Sequence, residues 1–212
     1  MFIGFLIYPG VTQLDFTGPA QLLSQMPRAE IVVAWKNTKP VPTDSGFSIN
    51  PTHAFEDVPP LDMICVPGGP GQGDMMDDEE VLSFLRHHGD QARYVTSVCT
   101  GSLLLAKAGL LDGYAAGCHW AWREKLSDFG ARPVDERVVV DRNRITGGGV
   151  TAGIDFALTM IAEIAGERTA KGIQLAFEYD PTPPFSTGSP KRAGFCIRNA
   201  VKKVLHSRIQ IV

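Results

Sequence analysis

Short apolar runs alternate along the chain with longer stretches in which apolar positions recur every three or four residues. Ile3–Tyr8, Glu30–Trp35, Met63–Val66, Tyr94–Val98, Arg137–Asp141 and Arg144–Thr146 read as strands. Most of these are apolar throughout, the pattern of strands covered on both faces. Pro19–Met26, Asp78–His88, Gly101–Ala108, His119–Phe129, Val150–Ala165 and Arg168–Phe177 read as helices. Asp77 or Asp78 is placed to cap the second of them, with Glu79 and Glu80 in its first turn. Gly109 and Gly166 stand where glycines end helices, and Val139–Ile145 reads as a hairpin around Arg142-Asn143. This alternation predicts an α/β fold, a three-layer sandwich with a mostly parallel sheet between helices. In such sheets the crevice forms at the carboxyl ends of the strands. Chemistry is therefore sought where strand meets helix.

Composition narrows the class. The 212 residues suit one large domain, and 44% hydrophobic with 20% charged residues excludes a disordered chain. Asp180–Pro190 is a Pro-rich connection, so residues 1–190 are expected to form the domain. Residues 191–212 are expected to add an amphipathic helix docked on it, with Ile197, Val201, Val204 and Leu205 on one face. A net charge of −3 argues against a general nucleic-acid or anionic-membrane binder. Cys65, Cys99, Cys118 and Cys196 form no CxxC pair and suit a reducing compartment. The apolar run at Met1–Tyr8 has no basic flank and is too short for a signal or a membrane span, so a cytoplasmic protein is expected. His53, His87, His88, His119 and His206 show no metal-binding spacing.

Four junctions carry candidate chemistry. In Tyr94–Leu104 an apolar strand runs straight into a helix with Cys99 at the turn, where the helix dipole and free N–H groups favour a thiolate. A buried structural cysteine is the alternative from position alone. In Leu14-Asp15-Phe16-Thr17-Gly18-Pro19, Pro19 reads as the first helical residue. Asp15 then lies just upstream, a carboxylate between apolar neighbours that is suited to carry a proton or only to bind loop amides. The Gly-rich loop after Val66-Pro67 can offer backbone N–H groups to developing negative charge, or be a plain turn. It lacks the P-loop pattern. Thr146-Gly147-Gly148-Gly149-Val150-Thr151-Ala152 fits close helix–sheet packing better than nucleotide binding. His119, beside Cys118, is a possible base for Cys99 or a backbone-bonded helix start. Trp35, Trp120 and Trp122 read as core or interface residues.

Taken in order, Leu14–Pro19, Val66-Pro67-Gly68-Gly69, Ser97-Val98-Cys99-Thr100-Gly101, His119-Trp120 and Thr146–Asp155 resemble the DJ-1/PfpI superfamily, and within it the isocyanide hydratase (isonitrile hydratase) branch. The resemblance covers about residues 1–190. It implies a flavodoxin-like fold, a homodimer, an isocyanide as small-molecule partner and no cofactor or metal. It also implies Cys99 as nucleophile, Asp15 as its acidic partner, Thr100 as a contributor to the site and the Gly69 N–H as a substrate-facing donor. Cys118 departs from the threonine common in relatives, so His119 is not assigned a catalytic role. The alternatives in view are a cysteine-based redox or ligand sensor and a glyoxalase-like activity of the same superfamily. Some 20 residues after Pro190 are too few for a DNA-binding module.

Overall fold

The computed structural model describes residues 1–208. Seven strands form one sheet: β1 Phe2–Leu6, β2 Glu30–Trp35, β3 His53–Ala54, β4 Met63–Val66, β5 Tyr94–Val98, β6 Val138–Asp141 and β7 Arg144–Gly147. The longer helices are α1 Gln13–Leu23, α2 Glu79–Gln91, α3 Gly101–Lys107, α4 Ala152–Ala165, α5 Glu167–Ala176 and α6 Gly194–Arg208, and a single turn covers Gln72–Met75. The spatial order is β6-β7-β5-β4-β1-β2-β3. Every pairing is parallel except β6 with β7, which close the hairpin through Arg142 at φ 57°. The order of β2, β1, β4, β5 and β7 is the flavodoxin-like one, and its direction reverses between β1 and β4.

Burial explains the apolar strands. All of β4 and β5 and most of β1 are inaccessible to water. Helices α1, α4 and α5 cover one face; α2 and α3 cover the other. Phe5, Tyr8, Leu103, Leu104, Phe156 and Met160 fill the layers between. The cap at Asp78 is as expected, its carboxylate accepting the N–H groups of Glu80 and Val81 at 3.2 Å each.

Two helix boundaries differ from expectation. Helix α1 begins at Gln13, so Pro19 lies inside it and Asp15 in its first turn. Proline there removes the bond to the Asp15 carbonyl, a cost met by packing. The ring stands 3.1 Å from where a β-carbon on Gly153 of α4 would be. The expected helix at His119–Phe129 is a 3-10 segment over Arg123–Phe129 only. Upstream of it the His119 ring packs beside Trp120 and Trp122, at centroid distances of 5.7 and 5.1 Å, and this ring packing replaces helical periodicity. Helix α6 touches that region through His206, whose ring lies 5.5 Å from Trp122. Its Phe195, Ile197, Val201 and Val204 are exposed. The end of the segment expected over 191–212 lies outside the described residues.

Candidate active site

The strand ends at the reversal between β1 and β4 bring Asp15, Gly68, Gly69, Cys99 and Thr100 together. Three loops are tied to one another by backbone bonds. Thr12 N–H donates to Gly68 O at 2.9 Å, and Gly71 N–H to Gly10 O at 3.3 Å. Tyr8 Oη donates to Pro67 O at 3.0 Å beneath them. Gly69 adopts φ 147°, and a β-carbon there would meet Thr12 N at 2.4 Å, so only glycine fits.

Cys99 occupies the turn between β5 and α3 at φ 60°, a left-handed conformation that costs a non-glycine residue of order 1–3 kcal/mol. Its N–H is held by Gly148 O at 2.7 Å and Gly147 O at 3.1 Å. Gly101 makes this turn possible, because a β-carbon there would collide with the Val66 carbonyl. The strained turn places sulfur against Asp15.

Asp15 is wholly buried, and burial raises its carboxyl pKa to about 7. The Gly68 N–H, which donates to Oδ2 at 2.9 Å, and the Cys99 thiol offset part of that rise. Oδ1 is sealed from solvent without a hydrogen-bond partner among the described residues. The Cys99 thiol is itself pushed well above its ordinary range by burial, by Asp15 and by Cys118. The N–H groups of Thr100 and Val150 favour the thiolate, as a helix start should, but burial outweighs them. Above about pH 7 the pair therefore carries one negative charge, on Asp15, while Cys99 remains a thiol.

Thr100 is buried, and its Oγ1 accepts the Gly69 N–H at 3.2 Å. The Gly69 donor, expected to face substrate, is thus directed at Thr100. A β-carbon at Gly68 would stand 2.5 Å from Thr100 Oγ1 and 3.0 Å from Asp15 Oδ2, so the bare glycine keeps open the space that both oxygens face.

Sequence reasoning missed Val150, whose N–H approaches the sulfur, although the glycine run before it was noted. It also missed how near Cys118 lies to Cys99; burial pushes that thiol up to about 12. Among the described residues no group of three or more His, Cys, Asp or Glu is placed to hold a metal ion.

This fold and this cysteine turn define a class. The chain matches the DJ-1/PfpI family over residues 1–163 and belongs to that family. Among curated relatives, it is 52% identical over 201 residues to isonitrile hydratase from Pseudomonas putida, covering 95% of this chain and 88% of that protein. It is 31% identical to the HTH-type transcriptional regulator GbdR from Pseudomonas aeruginosa, covering 84% of this chain and 50% of the regulator. A crystal structure of a THiJ/PfpI family protein from Pseudomonas syringae superposes with a TM-score of 0.95 at 44% identity, covering 98% of this chain and 86% of that one.

Proposed function

We propose that the chain hydrates isocyanides, R–N≡C, to N-substituted formamides, with Cys99 as nucleophile and Asp15 as proton carrier. The observation that carries the reading is the buried Asp15 carboxyl, held near pH 7 beside the strained Cys99 turn. Likeness over nearly the whole chain to an isonitrile hydratase supports it.

The reaction balances within this pair. The Cys99 thiol passes its proton to Asp15, and sulfur attacks the terminal carbon of R–N≡C. That carbon's electron pair takes the proton back from Asp15, giving a thioimidate, R–N=CH–S–Cys99. This divides one hard addition into two easier ones. Asp15, again a carboxylate, accepts a proton from water as oxygen adds to the thioimidate carbon, and hands that proton to nitrogen. The tetrahedral adduct R–NH–CH(OH)–S–Cys99 then collapses. The hydroxyl proton passes through Asp15 to the departing sulfur, which regenerates the thiol and frees R–NH–CHO. Thr100, held by the Gly69 N–H, positions its hydroxyl over the same space and orients the water. The reaction needs no metal, nucleotide or redox group. The reading includes a homodimer and a cytoplasmic protein; sedimentation tests the first.

The deciding experiment measures formamide from cyclohexyl isocyanide with wild type and Cys99→Ala in parallel. Many turnovers by wild type and none by the variant are expected. No turnover by wild type with Cys99 reduced would overturn the hydratase. Stoichiometric oxidation of Cys99 without turnover would point to a sensor.

A further inference from the structure

A cavity of about 440 Å³ lies between Cys118–Trp120, Asp135–Arg137, Gly148–Ala152 and Gly188–Lys191. Its glycine loop is the one that holds Cys99: Gly148 O takes the Cys99 N–H, and the Val150 N–H approaches the sulfur. The cations on its wall are all engaged. Arg123 and Lys191 pair with Asp135, and Arg137 pairs with Asp155 at 2.6 Å. Glu136 has no ion partner among the described residues, which disfavours an anionic ligand. The walls suit a polar but uncharged group.

His119 supplies a donor into this space. Its Nδ1 accepts the Ala121 N–H at 3.3 Å, which assigns the ring proton to Nε2. Nε2 has no hydrogen-bond partner among the described residues and is not sealed from solvent, and its edge of the ring faces Gly149 of the cavity wall, so it opens into the cavity that the residue lines. Burial holds the imidazole at about 4, so near neutral pH it is a fixed N–H donor and not an acid. The ring edge faces the glycine loop: Cδ2 stands 3.2 Å from where a Gly149 β-carbon would be.

We propose that this cavity holds the substituent R of the isocyanide, and that His119 Nε2–H donates to an uncharged acceptor oxygen on it. The proposal rests on the hydratase reading and adds a substrate class: isocyanides whose R carries an ether or carbonyl oxygen.

The test compares kcat/KM for cyclohexyl isocyanide and its near-isostere tetrahydropyran-4-yl isocyanide, which differ by one ring oxygen. His119→Leu should lower the ratio of ether to hydrocarbon about three- to tenfold, the worth of one neutral hydrogen bond. His119→Gln, whose amide nitrogen reaches the place of Nε2, should restore most of it. Gly149→Ala, which presses a methyl group on the ring, should lower the ratio too and serves if His119→Leu does not fold. An unchanged ratio in these variants, or an equal loss on both substrates, would overturn the proposal; the latter would put His119 on the atoms common to both. Failure of wild type to turn over either compound would instead overturn the hydratase reading, and this proposal with it.

Discussion

Asp15 lies against Cys99 and His119 against the glycine loop that holds Cys99, and the same cause moves them in opposite directions. Burial raises the Asp15 carboxyl to about 7 and lowers the His119 imidazole to about 4. Asp15 thereby changes charge within the working range, while His119 stays neutral throughout it. Asp15 is enclosed by backbone amides and the Cys99 turn, which the packed sheet fixes. His119 lies on an irregular segment facing a cavity partly walled by the chain at Gly188–Lys191. Desolvation thus leaves a carboxyl that titrates near neutrality beside Cys99, as a proton carrier needs, and a neutral imidazole that can only donate on the other side. In the proposed reaction, chemistry sits on the rigid side, packed against the sheet, and selectivity on the adaptable side, where the backbone is irregular.

The largest expected effects fall on the rigid side. Cys99→Ala or Cys99→Ser should lower formamide production at least roughly 10⁴-fold, because the groups act as a unit. Asp15→Asn should lower it roughly 10²- to 10⁴-fold while Cys99 stays open to alkylation. The pH profile follows from the pair. Below about 7 Asp15 is protonated and can no longer take the proton of the Cys99 thiol, so kcat/KM of wild type should rise through about pH 7 and then level. Full activity in Asp15→Asn, or a profile without that acid limb, would break the assignment of Asp15.

Stability should separate the two groups by sign. The Asp15 pKa is higher folded than the ordinary 3.8, so its proton stabilises the fold at low pH and that stability is lost as pH rises through about 7. The effect is on the order of 4 kcal/mol. The His119 pKa is lower folded than the ordinary 6.5, so its contribution is present above 6.5 and lost as pH falls through about 4. Urea midpoints between pH 4 and 7 should therefore show Asp15→Asn removing a downward slope and His119→Gln removing an upward one. Slopes of the same sign would show that burial is not what sets these two groups.

The sheet was legible because β4, β5 and most of β1 and β2 are buried on both faces, so their sequences read as mainly apolar runs without strict alternation. The site was legible in part for the same reason: Cys99 follows β5 directly and Gly68 follows β4 after Pro67. Asp15 was misplaced relative to α1 because Pro19 is a strong helix-start signal and only packing against Gly153 overrides it. His119 was misread because three neighbouring rings pack by tertiary contact, which no periodicity reports. The Gly69 N–H was assigned to substrate because a motif names donors without saying where they point. The thiol's upward shift was invisible since helix-start effects can be read from a sequence and burial at a junction cannot. A smaller test follows on the rigid side. Thr100→Val keeps the shape but leaves the Gly69 N–H without its acceptor, and should lower kcat about three- to tenfold with KM nearly held.

The smallest effect lies on the adaptable side and bears most directly on the contrast. Lys191 Nζ meets Asp135 Oδ2 at 3.0 Å, with the lysine 78% and the aspartate 44% exposed. Such a pair is worth less than about 1 kcal/mol, so Lys191→Ala should barely move the unfolding midpoint. The pair nevertheless ties the chain at Gly188–Lys191, one wall of the cavity, to the Asp135 that also pairs with Arg123. Loosening that wall should raise KM for either isocyanide about twofold and leave kcat in place, as loss of uniform binding does. About 0.5 M salt should do the same to wild type, since an exposed ion pair is screened at that strength, and should add nothing to the variant. The Asp15–Cys99 chemistry, sealed from solvent, should show no such salt dependence in kcat. A KM unmoved by both treatments would mean that this segment does not touch the substrate, whereas a fall in kcat would mean that the two sides are not separable.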